Sequence, residues 1–253
     1  MKTDPLGRSR CFHLAYGPDT NQFGELRLPE AAGPFPAVIM IHGGFWRAAF
    51  DLSRARPFCE SLQRAGIATF SLEYRRVGNP GGGWPGTLDD IRAAGAFFGR
   101  QAGKFTIDPQ RIVVAGHSAG GQLALWLAGE QVLPLRAAVS LAGAVDLRRA
   151  WELQLGNGAA GEFLGGSPAQ FPQRYQMASP VERLPLGASA RLIHGSNDNV
   201  VPLEISEAYE VAARLVNDDV QLLALPGVGH AELIDPATPA FQSVVATLHT
   251  LLS

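Results

Sequence analysis

The chain has 253 residues, 46% of them hydrophobic and 17% charged, with 21 Lys plus Arg against 23 Asp plus Glu and a formal net charge of -2. That balance excludes disorder and leaves no basic excess to neutralise a phosphate backbone, so nucleic acid is not an expected partner. Lys2 and Lys104 are the only lysines, which leaves Schiff-base and P-loop chemistry almost no candidate side chain, and Cys11 and Cys59 read as reduced structural thiols.

Residues 10–16 and 22–28 are expected to form an antiparallel pair, followed by a buried strand from Ala37 to Ile41 and an amphipathic helix from about Ser53 to Ala65. A strand from Ile67 to Tyr74 comes next. The following helix, Leu88 to Gln101, is expected to start at Thr87 as N-cap, with Asp90 three residues on. The strand Arg111 to Ala115 turns at Gly116 into a helix from Ala119 to Ala128. Beyond it lie a strand from Ala137 to Leu141, an irregular cap-like stretch over 146–188, and a strand from Arg191 to His194. A helix from Leu203 to Leu215, a strand from Val220 to Leu225 and a helix from about Pro239 to Leu251 complete the order. Apolar runs of three to six residues separated by helices are the pattern of strands buried on both faces of a parallel sheet. The expectation is a single α/β domain over 1–253 with a mostly parallel, doubly wound sheet of about eight strands. The N-terminal stretch lacks the apolar segment of a signal peptide, and no run of about 18 apolar residues could span a bilayer, so a soluble cytoplasmic protein is expected.

The 29 glycines exceed an average share of about 7%, or roughly 18. Many of them fall in motifs. Gly116-His117-Ser118-Ala119-Gly120-Gly121 is a G-x-S-x-G between a buried strand and a helix, the setting in which Ser118 would be lifted above the sheet beside a helix N-terminus. A serine hydroxyl needs a histidine base held by a carboxylate. Of the six histidines, His13 and His249 lie in a hairpin and the last helix, His117 adjoins the serine, and His42 and His194 end strands. His230, in the loop after the last strand, is free to reach over the sheet. Asp198, one strand earlier, is the preferred acid over Asp146, which reads as a helix N-cap, and over Glu232. His42-Gly43-Gly44-Phe45-Trp46 after the first core strand offers backbone donors, so Gly44 and Ala119, with Gly43 or Phe45 as a third, are the candidate oxyanion hole.

Taken together, these motifs resemble the α/β-hydrolase superfamily, in its hormone-sensitive-lipase-like and arylformamidase (kynurenine formamidase) branch. The resemblance rests on His42-Gly43-Gly44-Phe45-Trp46, on Glu73-Tyr74-Arg75, on Asp198 with Val201-Pro202, and on Gly229-His230. It implies the α/β-hydrolase fold and a serine carboxylesterase or arylformamidase acting on small esters or activated amides. A prolyl-oligopeptidase-type peptidase and a non-catalytic binding protein of the same fold are the rival readings. Phe45, Trp46, Trp84 and Trp151, with Phe163 and Leu155, are expected to wall an acyl or aryl pocket. Two glycine hexads, 81–86 and 156–161, satisfy G-x-G-x-x-G but neither links a strand to a helix, so they read as flexible loops rather than a dinucleotide site. Arg75 and Arg76 are expected to pair at the surface. No metal or other cofactor is called for, since the histidines lack ligand spacing. The expected partner is a small-molecule substrate; neither nucleic acid nor membrane is expected, and a homodimer is left open.

Overall fold

The computed structural model describes residues 10–253. Eight strands form one sheet: β1 (Arg10–Ala15), β2 (Phe23–Leu28), β3 (Phe35–Ile41), β4 (Ala68–Leu72), β5 (Ile107–His117), β6 (Ala137–Leu141), β7 (Ala190–Gly195) and β8 (Val220–Leu225). They lie in the order β1-β2-β4-β3-β5-β6-β7-β8. β2 runs antiparallel to β1 and β4, and every other neighbouring pair is parallel. Helices α1 (Arg56–Arg64), α2 (Gly86–Gln101), α3 (Ala119–Glu130), α7 (Glu204–Leu215) and α8 (Pro239–Leu252) alternate with the strands, and α4 (Leu147–Glu152), α5 (Leu155–Leu164) and α6 (Pro172–Ala178) follow β6.

The continuous apolar runs are explained by burial on both faces. Successive β3 side chains point to opposite sides: Ile39 and Ile41 enter the core under α2 and α3, while Val38 and Met40 enter the one under α1 and α8. α8 seats Phe241, Val244 and Leu248 in that second core, with Phe241 edge-on to Phe58 of α1. α3 is buried from Ala119 to Ala128, so its apolar residues surround the helix instead of forming a stripe.

Several local expectations change. The helix expected from Ser53 divides into a 3-10 turn at Leu52–Ala55 and α1, because Pro57 has no N–H to continue the ladder and favours a first-turn position. Thr87 lies inside α2, and Pro85 occupies the cap position. The Thr87 hydroxyl instead accepts from the Gly83 N–H (3.1 Å), and Asp90 is occupied by Arg75 (2.6 Å) and by Gln22 (2.7 Å). The stretch expected to be irregular holds α4, α5 and α6. These are too short to display a helical period, and left-handed residues at Gln154, Gly156, Asn157 and Gly158 interrupt them. Nor are the two hexads simply loops: Gly156–Gly161 falls within α5, and Gly86 begins α2. Among the described residues, no helix is long and apolar enough to cross a membrane.

The nucleophile turn depends on backbone-to-backbone packing between β5, α3 and β3. A Cβ at Gly120 would lie 2.1 Å from the Ile41 carbonyl oxygen, and one at Gly116 would lie 2.0 Å from the Gly120 carbonyl oxygen. Neither neighbour can move without displacing a central strand. Gly120→Ala is therefore expected to cost at least about 2 kcal/mol, or to prevent soluble expression. Gly103→Ala, where a Cβ meets nothing within 4 Å, is expected to be neutral or stabilising by up to about 1 kcal/mol. Urea unfolding of the two variants checks the contrast.

Candidate active site

The functional candidates collect at the carboxyl ends of the parallel strands, where α/β sheets place their sites. Ser118 follows β5 with φ 58° and ψ −122°, a left-handed conformation that a non-glycine residue adopts only when its surroundings enforce it. The enforcement is visible in the Ser118 N–H, which donates to the Leu141 carbonyl at 2.8 Å, and in the Ser118 carbonyl, which accepts from Gly121 at 2.9 Å. The side chain stands over the N-terminus of α3. Ala119 is the first residue of that helix, so its N–H has no carbonyl one turn earlier to bond.

Asp198 follows β7 and His230 follows β8. His230 Nδ1 lies 2.6 Å from Asp198 Oδ2. A carboxylate only accepts, so Nδ1 carries the proton and Nε2 is the basic nitrogen on the cleft side. The other oxygen, Oδ1, accepts from the N–H groups of Val200 (2.8 Å) and Val201 (2.9 Å). A second histidine, His194, lies fully buried with Nε2 3.2 Å from Oδ2, and its Nδ1 meets Ser206 at 2.8 Å. Burial alone would raise the Asp198 pKa. The hydrogen bonds from His194 and His230, and the charge on His230, outweigh it and hold the carboxyl below the usual range. His117 fastens the base loop to the nucleophile turn: its Nε2–H donates to the His230 carbonyl at 2.9 Å, and the two rings lie 4.5 Å apart. Asp146 caps α4, accepting from the Arg149 N–H at 3.0 Å, and Glu232 accepts from the Gly229 N–H at 2.8 Å.

The loop after β3 lies directly on this turn. A Cβ at Gly43 would come within 2.9 Å of Ser118 Cβ, and Gly44 has φ 120°, so the loop reaches the serine only as bare backbone. What holds it there is a buried polar cluster whose members the motifs only partly marked. His42 Nδ1 is 2.7 Å from the Gly43 carbonyl and Nε2 is 3.1 Å from Glu73 Oε1. Glu73 in turn takes Arg76 at 2.8 Å and the Leu52 N–H at 3.0 Å. The Tyr74 hydroxyl donates to the His42 carbonyl at 2.9 Å, and its ring stacks on His42. Arg75 and Arg76 thus make buried-partner ion pairs with Asp90 and Glu73 rather than pairing on the surface. An acidic residue directly after a fully buried strand, as Glu73 follows β4, is the sequence signal for such a cluster.

Ser118 and His230 share a cleft of about 460 Å³, which Gly43, Gly44, Phe50, Arg54 and Ile234 also line. Phe50, Arg54 and Ile234 were not marked by any motif. Arg54 lies over the Phe50 ring at 4.5 Å. Of the expected pocket walls, Phe45 lines this cleft, and Trp46 and Leu155, with Phe45 and Ser118 again, line a smaller space. Trp46 is 2% exposed, donates to Gln122 at 2.9 Å and stacks on Phe163. Trp84 instead borders a separate groove with Trp126 and Met177, and Trp151 packs against the core.

The family model described as BD-FAE matches residues 25–212. The chain belongs to the BD-FAE family. This BD-FAE chain is 31% identical over 246 residues to the esterase LipC of Mycobacterium tuberculosis, covering 88% of this chain and 60% of that protein. It is 31% identical over 216 residues to the kynurenine formamidase avaC of Aspergillus versicolor, covering 68% of this chain and 73% of that one. The chain spans about three fifths of the length of LipC. A truncated carbohydrate esterase from gut microbiota superposes with a TM-score of 0.81 at 23% identity, over 96% of both chains. An esterase B from Lactobacillus rhamnosis superposes at 0.80 and 20% identity, over 99% of this chain and 87% of that one. The fold of this BD-FAE chain is that of the α/β-hydrolases.

Burial, with the charge on His230 adding to it, lowers the His117 pKa to about 3. Unfolding restores its ordinary value near 6.5, so between about pH 6.5 and 3 the unfolded chain binds a proton that the folded chain refuses. The contribution of neutral His117 is complete above pH 6.5 and declines on acidification by about 1.4 kcal/mol per unit. Urea unfolding between pH 7 and pH 5 should show a shallower loss of stability for His117→Gln than for the unaltered protein; equal slopes would contradict this.

Proposed function

We propose that this protein is a serine hydrolase of small carboxylic esters and activated amides, working through Ser118, His230 and Asp198 by way of an acyl-enzyme. The observation that carries the reading is the 2.6 Å contact between His230 Nδ1 and the buried Asp198 carboxylate, in the same cleft as a serine on a positive-φ turn. The esterase and formamidase names of its relatives agree with it.

In the proposed reaction, Ser118 Oγ attacks the substrate carbonyl carbon while His230 Nε2 takes its proton. Asp198 fixes the imidazole tautomer and stabilises the imidazolium. The N–H groups of Gly44 and Ala119, with Gly43 or Phe45 beside them, receive the developing oxyanion. Collapse of the tetrahedral intermediate expels the leaving oxygen or nitrogen, to which His230 returns the proton. Water, deprotonated by His230, then attacks the acyl-enzyme and releases the acid with regeneration of Ser118. Kynurenine formamidase avaC keeps formyl amides within the proposed substrate class beside esters.

Ser118→Ala is expected to lower kcat on p-nitrophenyl acetate by about 10⁴–10⁶ while leaving the thermal transition in place; retention of a tenth of the turnover would refute the assignment. Asp198→Asn should lose several orders of magnitude, and Asp146→Asn, whose amide oxygen can still cap α4, should keep most of both the activity and the stability. Steady-state kinetics on the pair identifies the acid.

A further inference from the structure

Ser118 borders two unequal spaces, and Phe45 lines both. One is the open cleft of about 460 Å³ that contains His230. The other, of about 10 Å³, is bounded by Trp46, Ala119, Ala144, Ala150, Leu155 and Val201 and does not include His230. A general acid has to reach the atom it protonates. Since His230 is the group that returns the proton, the leaving group must lie on its side, in the open cleft. The substituent on the carbonyl carbon then points to the small chamber, next to Ala119 at the oxyanion site.

Resting on the serine-hydrolase reading above, we infer that this chamber is the acyl-binding site and that it admits a formyl or acetyl group, with Leu155 setting the limit. A space of about 10 Å³ is at the lower limit for holding one water molecule; it accommodates a hydrogen or a methyl group and excludes a propyl chain. Its walls do not yield readily. Trp46 is fastened by its bond to Gln122 and by stacking on Phe163 at a 6° interplanar angle. Ala150 of α4 is buried to within 1%. Leu155 begins α5 just before the left-handed run Gly156, Asn157 and Gly158. A Cβ at Gly156 would lie 2.3 Å from the Phe45 ring, so this backbone is seated on the residue lining both spaces. The segment 146–188 therefore acts as the acyl gauge, while the open cleft leaves the alcohol or amine portion free to be large.

The test measures kcat/KM for p-nitrophenyl acetate, butyrate and hexanoate, and for phenyl and 2-naphthyl acetate, with the unaltered protein and Leu155→Ala. Labelling of Ser118 by a fluorophosphonate is followed in parallel. The unaltered protein should lose at least about tenfold from acetate to hexanoate, as expected when methylenes have no room, and should treat the two aryl acetates within about threefold of each other. Leu155→Ala, at a partly exposed position, should raise the hexanoate-to-acetate ratio by about tenfold. Equal use of acetate and hexanoate by the unaltered protein would overturn the inference without needing the variant, and so would an unchanged ratio in a folded Leu155→Ala. Labelling at Ser118 with a flat chain-length series would overturn the acyl gauge alone, whereas failure of both labelling and hydrolysis would overturn the serine-hydrolase reading and the gauge with it.

Discussion

The close approach of three pieces of glycine backbone governs the rest of the molecule. Gly116 passes beneath the Gly120 carbonyl, Gly120 beneath the Ile41 carbonyl, and Gly43 against Ser118. Side chains at these points would collide with the Gly120 and Ile41 carbonyls and crowd Ser118, forcing β5, α3 and the loop after β3 apart. With hydrogen there instead, the nucleophile turn can be sharp enough to hold Ser118 at positive φ, and the backbone donors of the β3 loop reach its neighbourhood. The strain at Ser118 persists because the sheet and α3 are packed on both sides of it.

That approach also costs desolvation, since the loop carries polar backbone into the interior. The Glu73 cluster satisfies it. His42, Arg76, Leu52 and Tyr74 all direct donors at or around one buried carboxylate, and the Tyr74 hydroxyl takes the His42 carbonyl. Buried charges of this kind are poor general sources of stability, but removing one partner leaves the others uncompensated, at about 3–5 kcal/mol. Such a cluster specifies one geometry for the loop that lies against Ser118. Asp198 follows the same logic: four donors converge on one carboxylate and hold its position and charge.

The segment after β6 completes the site from the other side. α4 is started by Asp146 and α5 by a left-handed run, and together they bring Ala150 and Leu155 against Trp46 and Ala119. Two spaces of very different size then meet at one serine. Arg54 and Phe50, from the turn before α1, border the larger one and give it an aromatic wall with a cation above it.

Much of the fold was legible from local pattern, because strands buried on both faces leave unbroken apolar runs and the helices between them are long enough to show their period. The turns that carry Ser118, Asp198 and His230 were legible too, each marked by turn residues at the end of a strand. The sequence alone therefore determined the eight strands in order, the longer helices between them, and the turns that carry Ser118, Asp198 and His230. Only the tertiary structure decided that Trp84 and Trp151 lie away from the serine, that Leu155 and Arg54 lie beside it, that Thr87 does not cap α2, and that Glu73 anchors the β3 loop. The reason is physical: a turn or a buried strand is dictated by neighbours in the chain, whereas which side chains share a cavity depends on how elements far apart in sequence pack.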